Sequence, residues 1–244
     1  MNKKSIGIIG GSGLYELAGN AQEHSVETPY GIAYVFKSTF TGVDVFFLPR
    51  HGKSHHLPPH KINFRANIFA LKSMGSQCIL STAAVGSLKE SFYPGKFGFV
   101  GQFIDHTKNR DDTYFENFTE KIQHTDMTSP YDENINKLLI KVFSELQTPF
   151  EGPLTMIVTQ GPRFESSAEI KAFKMWGAEI VGMTGYPEVA LANELGIPFA
   201  TLAISTNYAA GISDQPLTHE EVVNQMEKSS VLLQNNIMKF IASF

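Results

Sequence analysis

The chain has 244 residues, of which 42% are hydrophobic, and its 20 basic and 24 acidic side chains give a net charge of −4. These charges are spread along the sequence, which argues against a nucleic-acid or membrane-surface partner and favours a small substrate. The single cysteine, Cys78, excludes an internal disulfide. No run of about 18 apolar residues occurs, and no signal-type segment follows Lys3 and Lys4, so we expect a cytoplasmic protein.

Eight apolar runs predict β-strands, and several are too hydrophobic to have one face in water. They cover residues 6–9, 33–36, 43–48, 78–82, 98–104, 155–158, 179–182 and 199–205. Helical spacing of apolar residues predicts five helices, at 63–74, 133–146, 167–176, 187–195 and 218 to about 240. Strands that alternate with helices predict an α/β sheet covered on both faces. No linker or repeat interrupts the pattern, so we expect one domain over 1–244.

A glycine-rich turn follows the first predicted strand, in Gly10-Gly11-Ser12-Gly13. Glycines let successive backbone N–H groups point at an anion, and the Ser12 hydroxyl adds a neutral donor. A dinucleotide fingerprint would need a third glycine where this chain has Glu16, and no Gly-Lys-Ser/Thr of a nucleotide P-loop occurs. We therefore predict a site for free phosphate, with a purely structural turn and a variant nucleotide loop as the alternatives.

Polar groups follow five further predicted strands, at the strand ends where ligands collect in open α/β sheets. After the strand at 43–48, Arg50 offers a fork for two phosphate oxygens, with His51 beside it as a second donor or proton partner. Phe164 and Met183 are suited to an apolar sandwich around a flat ligand. Each segment alone resembles an ordinary loop, and 82–87 looks like a strand-to-helix turn. Together, segments 50–51, 82–87, 161–166, 182–188 and 205–208 predict one shared pocket.

Other site classes gain little support from the sequence. His55, His56 and His60 lie in a proline-containing loop with no His-Glu-x-x-His helix and no cysteine partner, so we expect no metal site. No Gly-x-Ser-x-Gly elbow of a serine hydrolase occurs. The polar and aromatic stretch 105–132 is expected to be a long excursion that carries function.

Seven segments together resemble the trimeric purine nucleoside phosphorylase and methylthioadenosine phosphorylase family over nearly the whole chain. They are Gly10-Gly11-Ser12-Gly13-Leu14, Arg50-His51-Gly52, Asn63-x-x-Ala66-Asn67, Ala84-x-Gly86-Ser87-Leu88, Gly161-Pro162-Arg163-Phe164-Glu165, Gly182-Met183-Thr184 with Pro187-Glu188, and Thr206-Asn207. The resemblance implies a single α/β domain with a mixed, partly barrel-like sheet flanked by helices, assembled as a homotrimer. It also implies a pentosyltransferase that cleaves nucleosides with phosphate as co-substrate and without metal or organic cofactor.

The resemblance also assigns roles to matching positions. It implies that phosphate is bound by Ser12, Arg50, His51, Ala84 and Thr184. Met183 matches the residue under the ribose, and the base pocket matches Phe164, Glu165 and Asn207. The expected catalytic residues are His51, Glu165 and Asn207. His124 matches a residue that a neighbouring subunit lends to the 5′ end of the nucleoside, in a loop of variable length.

Two positions predict the choice of base. A 6-oxopurine has a donor at N1–H and an acceptor at O6, which suit the carboxylate of Glu165 and the amide of Asn207. Adenine reverses both edges, and the adenine-specific branch of the family has serine and aspartate at these positions. A mismatched buried edge costs about 1–3 kcal/mol per unpaired group, so we predict hypoxanthine or guanine over adenine.

The 5′ substituent stays open. His219 lies where ordinary purine nucleoside phosphorylases have a histidine for the 5′-hydroxyl, which favours inosine or guanosine; a solvated residue at a helix start is the alternative. The opening glycine motif, the Arg50-His51 pair and His124 instead resemble the methylthio branch, including enzymes that act on S-methyl-5′-thioinosine.

Phosphorolysis of methylthioadenosine and a non-catalytic nucleotide-binding module are the alternative functions. A nucleoside hydrolase would need an aspartate cluster near the amino terminus, which the sequence lacks.

Overall fold

The computed structural model describes residues 3–11, 14, 21–117, 123–214 and 217–244. Within these residues the strands are β1 (Ser5–Gly10), β2 (Gln22–Thr28), β3 (Gly31–Phe40), β4 (Val43–Pro49), β5 (Ile79–Ser87), β6 (Phe97–His106), β7 (Phe150–Thr159), β8 (Ile180–Gly182) and β9 (Phe199–Tyr208). They form one sheet in the order β2-β3-β4-β1-β5-β8-β7-β6-β9.

Five of these strands close on themselves. Strand β5 pairs with β8 and also with β9, so β5, β8, β7, β6 and β9 form a barrel from which β1 to β4 extend. The sheet is mixed, because β1 runs parallel to both of its neighbours whereas β8 and β6 run antiparallel to β5 and β9. The predicted mixed, partly barrel-like sheet is confirmed.

The helices are α1 (Phe64–Ser73), α2 (Glu133–Glu145), α3 (Ser167–Met175), α4 (Glu188–Glu194) and α5 (His219–Ser243), with a short 3₁₀ helix at Pro59–Lys61. All five predicted helices are present within a few residues of their expected ends. Side-chain caps fix several starts, since Asp132 accepts from two N–H groups of α2, and Ser166 forms a capping box with Glu169. In the described part of the chain, no helix is long and apolar enough to cross a membrane.

The structure corrects two strand predictions. Strand β2 was missed because it is a sheet edge with mostly exposed polar side chains, in which Val26 is the one aliphatic residue. Residues 82–87, expected as a loop, continue β5 with a bulge at Val85 and Gly86. An added Cβ at Gly86 would lie 3.1 Å from Asn207 Nδ2, so the small residues there allow close strand packing. The excursion is confirmed as a long connection, since the described residues of 107–132 contain no helix or strand.

Candidate active site

One cavity of about 480 Å³ lies at the ends of the central strands, within the size range of small-ligand sites. Nine of the eleven predicted site residues line it: Arg50, His51, Ala84, Phe164, Glu165, Met183, Thr184, Asn207 and His219. Ser12 lies outside the described residues, although its neighbour Gly11 lines the cavity. His124 is exposed and is not part of the cavity wall in this single chain.

Arg50 lies at one end of the cavity and is almost fully buried, with 3% of its surface exposed. Its Nε and Nη2 atoms donate to the two carboxylate oxygens of Glu188, at 2.5 and 3.0 Å. Nη2 also donates to Ser81 Oγ at 2.5 Å, and Nη1 donates to the Thr82 carbonyl at 2.8 Å. The sequence predicted that the fork of Arg50 binds two phosphate oxygens, but in the structure the fork binds Glu188. Among the described contacts, one hydrogen on Nη1 is left for a ligand.

Glu188 is the functional partner that sequence reasoning missed. It is fully buried at the start of α4, 138 residues from Arg50 in the chain, and it also accepts a hydrogen bond from Ser81. A buried charge needs such a partner, because desolvation of an unpaired ion costs several kcal/mol. The pair fixes Arg50 and cancels much of its charge, so an anion at this end would depend largely on neutral donors.

His51 is neutral near pH 7. Burial, followed by the neighbouring charge of Arg50, lowers the pKa of His51 to about 4. Its Nδ1 lies 2.8 Å from the Leu57 carbonyl, which only accepts, so Nδ1 carries the proton and donates. The other ring nitrogen, Nε2, is therefore an acceptor suited to the hydroxyl of monohydrogen phosphate rather than to its charged oxygens.

Two threonines hold the polar groups at the opposite end. Thr159 Oγ1 donates to Glu165 Oε1 at 2.6 Å, while burial raises the pKa of the Glu165 carboxyl. Thr206 Oγ1 lies 2.8 Å from Asn207 Oδ1, and Asn207 Nδ2 donates to the Tyr208 carbonyl at 2.9 Å. The Asn207 amide is thereby oriented, and among the contacts of the described residues one Nδ2 hydrogen is available. The resemblance included Thr206 in a matching segment without a role, whereas nothing in the local pattern marks Thr159.

The turn that carries Phe164 and Glu165 lies close to Met183. Gly161 has a φ of +64°, and an added Cβ there would lie 2.6 Å from Met183 Sδ. Glycine therefore suits this position in both conformation and space. The close approach brings the turn that carries Phe164 next to Met183, and both residues line the cavity.

The outer end of the cavity combines histidines with aliphatic side chains. His219 is the first residue of α5 and is exposed. The neighbouring wall consists of Leu217, Val222, Val223 and Met226. His55 also lines the cavity, and its pKa is lowered by burial first and by the neighbouring His219 second. This end offers polar and apolar contacts together.

The described residues contain no group of three or more His, Cys, Asp or Glu side chains arranged to hold a metal ion. His55 and His56 lie in the cavity wall, and the rings of His51 and His55 have centroids 4.5 Å apart. The polar atoms of the cavity are thus suited to an anion at one end and a flat heterocycle at the other.

Comparison with known proteins matches residues 5–242 to the phosphorylase superfamily. The chain belongs to the phosphorylase superfamily. Because the match covers nearly the whole chain, the family and the enzyme class predicted from the sequence are confirmed.

Three relatives within the phosphorylase superfamily illustrate the likeness. A probable 6-oxopurine nucleoside phosphorylase of Moorella thermoacetica is 44% identical over 97% of this chain and 92% of its own length. A probable S-methyl-5′-thioinosine phosphorylase of Methanocaldococcus jannaschii is 42% identical over 98% of this chain and 91% of its own. The structure of methylthioadenosine phosphorylase from Schistosoma mansoni in complex with adenine has a TM-score of 0.91 and 31% identity, covering 98% of this chain and 91% of that one.

Proposed function

We propose that this protein cleaves the N-glycosidic bond of 6-oxopurine nucleosides with inorganic phosphate, releasing the purine base and a ribose 1-phosphate. The observation that carries this proposal is that Arg50, His51, Glu165 and Asn207 line one cavity. Arg50 binds the Thr82 carbonyl, whereas Asn207 pairs with Gly86 four residues further along β5, so the two groups lie apart. The names of the relatives in Moorella thermoacetica and Methanocaldococcus jannaschii support the same base class.

The residues at the two ends suit the charges that develop as the bond breaks. Positive charge grows on the sugar and negative charge on the purine, so the transition state needs an anion beneath the sugar and donors at the base. Phosphate supplies both the nucleophile and the negative charge. Arg50, the neutral His51 and the Thr184 hydroxyl hold it for attack on the anomeric carbon, and positioning of this kind supplies part of the rate acceleration.

The base is chosen by Glu165 and Asn207 in this proposal. The Glu165 carboxylate accepts from N1–H of the 6-oxopurine, and the remaining Nδ2 hydrogen of Asn207 donates to O6 or N7. The hydrogen bond from Thr159 supports this role, because it fixes one carboxylate oxygen and leaves the other for the ligand. Adenine presents an acceptor at N1, which leaves the carboxylate without a donor.

The 5′ end accommodates a hydroxyl or a methylthio group. His219 supports recognition of a hydroxyl, whereas the neighbouring Val222, Val223 and Met226 support packing against a methylthio group. We accordingly propose inosine, guanosine and S-methyl-5′-thioinosine as the substrates. Methylthioadenosine is the second candidate, favoured by the close structural likeness to the Schistosoma mansoni enzyme.

We further propose that the reaction needs no metal or organic cofactor, since phosphate itself is the nucleophile. A cytoplasmic homotrimer is part of the same proposal. The single cysteine, which is buried, suits a reducing compartment, and the resemblance matches the exposed His124 to a residue lent to a neighbouring subunit.

Purified protein incubated with inosine, guanosine, adenosine, methylthioadenosine and S-methyl-5′-thioinosine, with and without phosphate, tests the proposal. We expect phosphate-dependent release of base from the 6-oxopurine nucleosides and much slower release of adenine. Cleavage that proceeds equally well without phosphate, or a preference for adenine nucleosides, contradicts it. Binding without turnover of any of the five nucleosides would indicate the non-catalytic alternative.

A further inference from the structure

Arg110 belongs to the excursion between β6 and α2 and reaches back under the cavity. Its Nη1 atom donates to the Tyr186 carbonyl at 2.6 Å. Its Nη2 atom lies within hydrogen-bond distance of three more backbone carbonyls, at 2.9, 3.1 and 3.2 Å, those of Met183, Thr159 and Gln160. One guanidinium group thus binds four carbonyls that are 49 to 76 residues away in the chain.

These four carbonyls come from two neighbouring segments that both carry cavity residues. Thr159 is the last residue of β7, and Gln160 leads into the turn with Phe164 and Glu165. Met183 and Tyr186 follow β8, on either side of the cavity residue Thr184. Arg110 itself is not among the residues that line the cavity.

Short chains of contacts connect the guanidinium to the side chains that face a ligand. Arg110 binds the Thr159 carbonyl, and the hydroxyl of the same threonine donates to Glu165 Oε1 at 2.6 Å. Arg110 also binds the Met183 carbonyl, directly before Thr184 in the chain. A shift of the guanidinium would therefore move the base-binding carboxylate and the turn with Met183 and Thr184 relative to each other.

The surroundings of the guanidinium favour a fixed position. Its Cζ atom lies 5.1 Å from the centre of the buried Phe64 ring, so the planar group has an aromatic face on one side and carbonyls around its edge. Burial lowers the pKa of Arg110 to about 10, which leaves it charged at neutral pH. Hydrogen bonds from a charged donor are about twice as strong as those between neutral groups.

We propose that Arg110 is a positioning residue for the phosphorolysis reaction. It sets the distance between the base-binding carboxylate of Glu165 and the turn with Met183 and Thr184, and it does not contact the substrate. This inference rests on the proposed function for its effect on turnover, although its effect on the two segments can be measured independently.

The chain offers a matched control in Arg65. This arginine also anchors the excursion, through ion pairs with Asp111 and Glu116, but it contacts neither the 159–165 turn nor the 182–187 turn. If Arg110 merely holds the excursion in place, Arg65→Ala should have the same consequences as Arg110→Ala. If Arg110 positions the two turns, only Arg110→Ala should affect turnover.

We expect Arg110→Ala to lower kcat for inosine by about 100-fold, because small displacements of positioning groups cost this much in other enzymes. The preference for inosine over adenosine should also narrow, since the position of Glu165 loosens. Guanidinium chloride at a non-denaturing concentration should recover most of the lost kcat by occupying the vacated space, whereas sodium chloride at equal ionic strength should not. Arg65→Ala should keep kcat and base preference close to those of the wild type. Retained kcat in Arg110→Ala, or an equal loss in Arg65→Ala, overturns the proposal.

Hydrogen exchange separates this proposal from the proposed function. Backbone amides of 160–166, other than Pro162, and of 183–186 should exchange faster in Arg110→Ala than in the wild type or in Arg65→Ala. If Arg110→Ala does not fold, Arg110→Lys replaces it, because a single ammonium cannot span four carbonyls. Unchanged exchange in both segments overturns the positioning role even if the substrate proves to be different. A wild-type protein without phosphorolysis contradicts the proposed function alone.

Discussion

The two ends of the cavity are built in different ways. At the phosphate end, Arg50 and Glu188 are 3% and 0% exposed and are held by strands β4 and β5 and helix α4. At the outer end, His219 is exposed at the start of α5, beside Val222 and Val223. The first end is a closed network of charges and hydrogen bonds, whereas the second is formed by an exposed helix start.

This difference indicates which properties of the enzyme are fixed and which are adjustable. A change inside a closed buried network leaves charges or donors without partners, so it affects stability as well as activity. A change at an exposed helix start or loop affects contacts with the substrate and little else. Two relatives at 44% and 42% identity to this chain are named for 6-oxopurine nucleosides and for S-methyl-5′-thioinosine. The two names differ in the 5′ group of the nucleoside, which is consistent with an adjustable outer end.

Glu188→Gln tests the closed end and should have the largest effect. It leaves the buried guanidinium of Arg50 without its counter-charge, and breaking a buried pair in this way costs about 3–5 kcal/mol of stability. Urea unfolding monitored by circular dichroism measures the loss. The control is Lys137→Gln, which removes an exposed ion pair with Glu133 and should leave the unfolding midpoint unchanged. A midpoint for Glu188→Gln equal to that of the control contradicts the closed network.

Acidification should lower the stability of the folded protein through His51, which lies beside Arg50 in the chain. Its pKa is about 4 in the folded protein and about 6.5 in the unfolded chain, so the unfolded state binds the extra proton first as the pH falls. The free energy of unfolding should therefore fall between pH 6.5 and pH 4, by up to about 3 kcal/mol from this residue.

Unfolding titrations of the wild type and of His51→Gln at several pH values check this expectation. The difference in stability between the two proteins should shrink or reverse as the pH falls through this range. A second variant, His60→Gln, changes an exposed histidine outside the cavity and should follow the wild type. A constant difference between wild type and His51→Gln from pH 7 to pH 4 would show that His51 titrates normally.

Asn207→Asp tests base recognition. The substituted carboxylate accepts from the 6-amino group of adenine and opposes O6 of hypoxanthine, so the ratio of kcat/KM for adenosine to that for inosine should rise about 10-fold or more. Steady-state kinetics on the two nucleosides measure this ratio. Asn134→Asp, on the exposed surface of α2, should leave the ratio unchanged. If Asn207→Asp also leaves the ratio unchanged, Asn207 does not recognise the substituent at position 6 of the purine.

His219→Ala tests the adjustable end and should have the smallest effect. Loss of one hydrogen bond to the 5′-hydroxyl costs about 1 kcal/mol, so kcat/KM for inosine should fall several-fold while that for S-methyl-5′-thioinosine stays nearly constant. Glu220→Ala, at the next and equally exposed position, serves as the control. Equal losses on the two substrates would place His219 outside the sugar site.

The sequence predicted most of the fold because the central strands and the helices have strong apolar patterns. The runs in β1, β4 and β9 are almost fully buried, and α2 begins at an aspartate cap. Strand β2 was missed because its stability comes from pairing with β3 and not from burial of its own side chains.

Prediction of the site was limited by contacts between distant parts of the chain. The resemblance pointed to Arg50, Glu165 and Asn207, and the structure brings these three residues to one cavity. It did not show that Glu188 occupies the fork of Arg50, because a pairing across 138 residues leaves no local signal. The hydrogen bonds of Arg110 to four backbone carbonyls also could not be predicted from the sequence, since every residue has a backbone carbonyl.

A crystal structure of the protein with phosphate and hypoxanthine bound tests the central claim most directly. The account predicts both ligands in the one cavity, with a phosphate oxygen at hydrogen-bond distance from Arg50 Nη1 and from the Thr184 hydroxyl. It also predicts N1 of hypoxanthine at hydrogen-bond distance from the Glu165 carboxylate. Phosphate bound away from Arg50, or a base whose N1 edge faces away from Glu165, would contradict it.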